Sequence, residues 1–179
     1  MANFKEAYDI TAKYEGGYVN DPADTGGETI FGVARNAWPN LNMWKILDSY
    51  KAQGLKGKAL EQACHSNNEF IREVETVYHT QYWFKIWGDR IDDQKKANAI
   101  YDFAVNTGVN RAVKYAQLAS GATSDGIIGP KTVQAINSCE DFTNKYADLR
   151  CKFYTDLATK RPSNKKFLNG WLKRANGLR

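Results

Sequence analysis

One stretch of this 179-residue chain concentrates the residue types that move protons. From Glu15 to Gly32 it reads E-G-G-Y-V-N-D-P-A-D-T-G-G-E-T-I-F-G, too dense in glycine and carboxylate to be an ordinary connection. Upstream, Phe4, Ala7, Tyr8 and Thr11 share one helical face, and continuing the count puts Glu15 on that face at the C-terminal end of the helix. Partial burial disfavours a carboxylate there, and so does the negative end of the helix dipole. Both effects raise a pKa in the sense that a general acid working near neutrality needs. Asp21 and Asp24 follow in a loop that Gly16-Gly17 and Gly26-Gly27 allow to fold back across the helix end, so a second carboxylate can face the first. Asp24 lies beside freely turning glycines and is the better catalytic candidate. Asp21 precedes Pro22 and is held extended, which suits an Asx turn or a substrate contact. Thr29 offers a hydroxyl to orient a water or support the second acid, and Tyr18 is the aromatic tied most closely to the loop.

The elements that must position these residues read as helices almost throughout. Asn3 is placed to cap the first helix, and Gly16-Gly17 to stop it. Ser66 with Glu69 has the spacing of a capping box ahead of Phe70, Val74, Val77 and Tyr78, and Ser138 with Asp141 repeats that signal before Phe142, Tyr146, Leu149, Phe153 and Leu157. Shorter helices are expected over Ala97–Val105 and Arg111–Ala119, with Pro130 in the first turn of another. Tyr18 to Val33 differs, with β-prone pieces at Tyr18-Val19 and Thr29-Ile30-Phe31, and reads as a loop or small hairpin. The fold expected is mainly α, with that small element after the first helix. The charged turn Arg90–Lys96 suggests a seam, giving lobes over 1–91 and 92–179 in one compact unit.

Two groups of residues resemble known families. Glu15-Gly16-Gly17, Asp21-Pro22, Asp24, Gly26-Gly27, Thr29 and Gly32 resemble the N-terminal pattern of glycoside hydrolase family 108, muramidases of phage endolysins and bacterial genomes. Glu15, Asp24 and Thr29 are also similar to the Glu-Asp-Thr arrangement of phage-type lysozymes. Tyr101 to Gly108 (Y-D-F-A-V-N-T-G) and Asp125 to Thr132 (D-G-I-I-G-P-K-T) resemble the peptidoglycan-binding region that accompanies the family. The resemblance implies a lysozyme-like helical fold, with Glu15 as the catalytic residue, in a chain that hydrolyses the β-1,4 bond between N-acetylmuramic acid and N-acetylglucosamine. A lytic transglycosylase using the same glutamate, or a wall-binding accessory protein without turnover, are the alternatives. Asn106 is a candidate ligand for an N-acetyl group, or a helix cap. Tyr82, Trp83 and Trp87 could wall a sugar groove or fill the core. The D-G-I-I-G-P-K-T segment reads from physics as a tight turn entering a helix.

Composition narrows the rest. The three cysteines, Cys64, Cys139 and Cys151, form no CxxC pair and indicate neither a disulfide framework nor a zinc site. The two histidines, His65 and His79, sit in no metalloprotease or triad context. No metal or organic cofactor is implied. A net charge of +5 is spread thinly, except that Lys160 to Arg179 holds seven basic residues and no acid. That tail suits a polyanion or a solvated helix face. The partner expected is peptidoglycan, with no nucleic acid and no stable membrane insertion, and the chain is expected to be a monomer. The N-terminus lacks the apolar stretch of a signal peptide, so synthesis in the cytoplasm, with action on the wall or periplasm after release, is the expectation.

Overall fold

The computed structural model describes residues 1–14, 16–20 and 27–179. Two compact units emerge, one of Tyr8–Thr80 and a larger one of Met1–Ala7 with Gln81–Arg179. The first helix, α1 (Phe4–Ala12), runs from the larger unit into the smaller. Asn3 caps it as expected: its Oδ1 accepts from the backbone N–H of Lys5 at 2.8 Å and of Glu6 at 3.3 Å. Ala7, Tyr8 and Thr11 form its buried face.

In the smaller unit, α1 is followed by an antiparallel sheet of β1 (Tyr18–Asn20), β2 (Glu28–Ile30) and β3 (Val33–Ala34). Tyr18 pairs with Ile30 and Asn20 with Glu28, while Ile30 also pairs with Val33. Strand alternation then puts Tyr18, Glu28, Ile30 and Val33 on one face, and Val19, Thr29 and Ala34 on the other. Phe31 and Gly32 join β2 to β3 with φ of 48° and 75°, the positive pair that a two-residue primed turn demands. A bulky residue in that position is unusual. Phe31 is held by the Tyr78 hydroxyl, which donates to its carbonyl at 3.1 Å, and by edge contacts with Phe70 and His65.

Three helices complete this unit: α2 (Met43–Ala52), α3 (Gly57–Ser66) and α4 (Asn68–Tyr78). Phe70, Val74, Val77 and Tyr78 form the buried stripe of α4, as their spacing predicts. The cap differs from expectation. Ser66 is the last residue of α3, and Asn67 caps α4 by accepting from the N–H of Phe70 at 3.0 Å. Glu69 instead accepts from the Asn42 side chain at 2.6 Å, so it cannot close a capping box. Cys64 is buried in α3, and burial pushes its thiol up to about 11; all three cysteines are free.

The larger unit contains α5 (Gln94–Thr107), α6 (Val109–Ser120), α7 (Pro130–Ser138), α8 (Phe142–Lys160) and α9 (Lys165–Asn176). α5 is buried continuously from Lys96 to Ala104. Phe103 on it meets the rings of Tyr115, Tyr146, Phe153 and Tyr154 at centroid distances of 5.4–6.0 Å. Beside it, Asp102 is fully buried between Arg150 and Arg174. Pro130 opens α7, as its fixed φ favours. The expected cap of α8 is not formed: Ser138 ends α7, and the Asp141 carboxylate accepts from the Asn144 side chain at 2.7 Å rather than from a backbone N–H. Arg90–Lys96 lies inside this unit, where the Lys96 ammonium donates to the last carbonyls of α7 at Ile136 and Asn137.

Candidate active site

The sheet face carrying Tyr18 and Glu28 is an ionic cluster. The Tyr18 hydroxyl donates to Glu28 Oε1 at 2.7 Å, and Lys51 of α2 donates to the same oxygen at 2.6 Å. Arg35 Nε forms an ion pair with Glu28 Oε2 at 2.6 Å, while its two terminal nitrogens grip Asp48 at 3.0 and 2.6 Å. Glu28 is only 10% exposed at its side chain. Burial pushes its carboxyl up, but the hydrogen bonds from Lys51 and Tyr18 and the charges of Arg35 and Lys51 outweigh it, so the pKa falls below the usual glutamate value. The Asp48 carboxyl is likewise lowered, chiefly by its hydrogen bonds from Arg35. The Tyr18 phenol is raised by burial and then by donating to Glu28.

Glu28 therefore stays ionised with both oxygens engaged, and is suited to holding strands in place rather than to giving or taking a proton. It ties β1, β2 and the chain after β3 to α2. A second carboxylate works at the α1 side. Glu61 of α3 accepts from the Tyr18 N–H at 2.8 Å, and a Cβ at Gly17 would come within 2.0 Å of the Glu61 carboxylate oxygen. Gly17 is thus the residue that lets Glu61 reach the backbone; its neighbour Gly16 faces open space.

Glu15, Asp21 and Asp24 lie outside the described residues. Of the other residues singled out by sequence, Tyr18 lines a depression of about 390 Å³ with Lys51, Leu55, Lys56, Gly57 and Leu60. Thr29 is half-buried on the opposite sheet face, alongside Val19 and Ala34, so the sheet does not bring it to Tyr18. Asn106 lies in the last turn of α5, where its amide oxygen accepts from the Tyr154 hydroxyl at 3.0 Å; it does not cap the helix. Tyr82 is half-buried in a π-helical turn, His79–Trp83. Trp83 is fully buried and Trp87 is 37% exposed.

The D-G-I-I-G-P-K-T segment is a scaffold. Asp125 accepts from the Ile127 N–H and from Gln117, and Gln117 in turn accepts from the Gly126 N–H and donates to Ile127 and Thr132. Sequence reasoning missed Glu28, Lys51, Arg35, Asp48 and Glu61. A signal existed for the first: alternation puts Glu28 on the same face as Ile30, and a carboxylate on a core-directed face requires partners. Nothing in the sequence announced Lys51 or Glu61, which arrive from helices far along the chain. Among the described residues, no cluster of three His, Cys, Asp or Glu side chains could hold a metal ion.

Residues 8–108 match the family model described as Glycosyl hydrolase 108, which is more than half of the chain. The chain belongs to the glycosyl hydrolase 108 family. Residues 110–176 match a second model, Predicted Peptidoglycan domain. The solved structure of Brucella abortus SagA is similar over 98% of this chain and 90% of SagA, with 29% identity and a TM-score of 0.65. No curated protein matches the chain. As a family 108 member it is a glycoside hydrolase, and with the second match it is a peptidoglycan hydrolase. The family match covers Glu15, the residues 21–26 and the cluster around Glu28 in one span. Among the described residues no helix is long and apolar enough to cross a membrane.

Proposed function

We propose that this peptidoglycan hydrolase is an N-acetylmuramidase that hydrolyses the β-1,4 bond between N-acetylmuramic acid and N-acetylglucosamine, with Glu15 as general acid. The observation that carries the reading is the family 108 match across residues 8–108, which includes Glu15 just beyond α1. Glu28, with both oxygens occupied, and Glu61, bonded to the Tyr18 N–H, are suited to structural roles rather than to proton transfer.

In this mechanism Glu15 protonates the leaving glycosidic oxygen. Asp24, helped by Thr29, positions a water or stabilises the oxocarbenium-like state. Asp21 and Tyr18 contact the substrate near the cleaved bond. Tyr82 and Asn106 are assigned to more distant sugar contacts; the Asn106 amide nitrogen remains available to an N-acetyl carbonyl while its oxygen is bonded to Tyr154. Chemistry is assigned to the Tyr8–Thr80 unit and retention on the wall to the larger unit.

Replacing Glu15→Gln removes the proton while keeping the shape, and is expected to lower wall lysis by about a hundred- to ten-thousand-fold. Turbidity loss of purified cell walls measures it, with a circular-dichroism melt as the folding control. A folded variant clearing walls at the parental rate would overturn the assignment. Mass spectrometry of the parent's products tests the bond and the reaction: reducing muramic acid ends are expected. Anhydro ends, lighter by one water, would instead mean that a substrate hydroxyl is the nucleophile.

A further inference from the structure

We propose that Trp87 and Arg90 form a glycan-binding shelf on the larger unit, on which a pyranose ring of the peptidoglycan strand stacks against the indole and is held by the guanidinium. The inference rests on the reading of the chain as a peptidoglycan hydrolase and adds a location for wall retention.

The shelf is built by the short helical turns Phe84–Ile86 and Gly88–Arg90. Trp83 anchors them. Its ring is fully buried and its indole N–H donates to Asp89 at 2.8 Å. Gly88 presses directly on that ring, since a Cβ there would lie 2.3 Å from it. No side chain fits at Gly88. The chain reverses at the residue just before it, and Trp87 takes the left-handed conformation, φ 54° and ψ 42°. Glycine or asparagine would adopt that backbone at little cost, whereas a tryptophan adopts it under strain. The neighbouring Phe84 is 67% exposed. A large aromatic kept in a strained, partly exposed place calls for a reason outside the fold.

The surroundings supply the reason. Two adjoining depressions, of about 490 and 250 Å³, share Trp87 and Arg90. The larger one is walled by Pro130, Val133, Gln134 and Ser138 of α7, so it draws on both the segment matched to family 108 and the segment matched to the peptidoglycan domain. The Asn137 side chain donates to Asp92 at 3.0 Å and to the Arg90 carbonyl at 3.1 Å, but no described residue bonds the Arg90 guanidinium. An aromatic face beside a free planar donor and an exposed amide matches a sugar, which offers an apolar C–H face and a rim of hydroxyl and carbonyl acceptors. A protein partner would be matched better by a broader apolar surface than by one edged with Arg90 and Gln134.

The test uses the full chain and insoluble, purified peptidoglycan. Trp87→Gly is chosen because glycine favours the left-handed backbone, and Arg90→Gln removes the charge without touching the turn. Both variants are expected to melt cooperatively, to sediment with peptidoglycan about five- to tenfold more weakly, and to cleave it at the parental rate once the wall is saturating. If folded variants of both kinds sediment like the parent, or lose only the saturated rate, the shelf is wrong while the hydrolase reading stands. If the parent itself neither sediments with peptidoglycan nor cleaves it, the hydrolase reading fails and takes the shelf with it.

Discussion

Glu28 shows how one residue can look catalytic and be built for something else. A largely buried carboxylate in the same stretch of sequence as a proposed general acid invites a role in proton transfer, yet three donors hold it ionised. Its folded pKa lies below the ordinary 4.5, so the stabilisation it gives is complete above that value and is lost as pH falls through the lower folded value. Glu28→Gln leaves Lys51 and Arg35 facing a neutral amide, and is expected to cost about 1–3 kcal/mol. Urea melts at neutral pH measure the loss, and repeating them in acid checks the sign: the gap between parent and variant should close as pH drops below 4.5. A gap that widens in acid would mean that Glu28 is protonated in the folded state. At this scale the sequence singled out one stretch as the candidate for the chemistry, because glycines and acids in register are a local pattern. It did not reveal which carboxylates are spoken for, because Glu28 meets Lys51 of α2, and Glu61 of α3 meets the Tyr18 N–H, across separations of 23 and 43 residues.

Elements were legible where apolar periodicity was long, and their ends were not. The stripe of α4 and the proline start of α7 follow directly from spacing, whereas both proposed capping boxes failed. The reason is competition for the side chains involved. Asn67 outcompetes Ser66 because its amide can accept from Phe70 and also donate to Tyr50 at 3.1 Å, tying the cap to α2. Glu69 is drawn away to Asn42. Asn67→Ala should therefore cost about 1 kcal/mol, while Ser66→Ala should be close to neutral. Thermal melts of the two variants check this. Equal losses would return the cap to Ser66. The hairpin was half legible: β1 and β2 sit on the β-prone pieces, but Phe31 leaves the strand for the turn, since Gly32 alone cannot make both positive φ angles of the reversal.

At the scale of the whole molecule, charge divides into two kinds that sequence cannot separate. The basic tail from Lys160 to Arg179 reads as one unbroken field, yet Arg174 is buried and bonded to Asp102 at 2.8 Å, and Arg179 pairs with Asp148 at 2.6 Å. Helix α9 turns Arg174 inward because Ala175 beside it is also buried, and the turn before presents Trp171 to Tyr154. Lys165, Lys166 and Lys173 are the exposed remainder on the helix. These two kinds of charge should respond differently to substitution. Replacing the three lysines with glutamine is expected to weaken sedimentation with anionic cell wall at low salt, to make little difference at high salt, and to leave the melt unchanged, because exposed charges act through a screened field. Arg174→Gln is expected to do the reverse, costing about 3–5 kcal/mol because it breaks a buried ion pair, with no dependence of wall binding on salt beyond that of the parent. Paired melts and salt-titrated sedimentation decide it: a triple-lysine variant that binds like the parent at every ionic strength would reduce the tail to a solvated face, and an Arg174→Gln variant of parental stability would mean that Asp102 is satisfied by Arg150 alone.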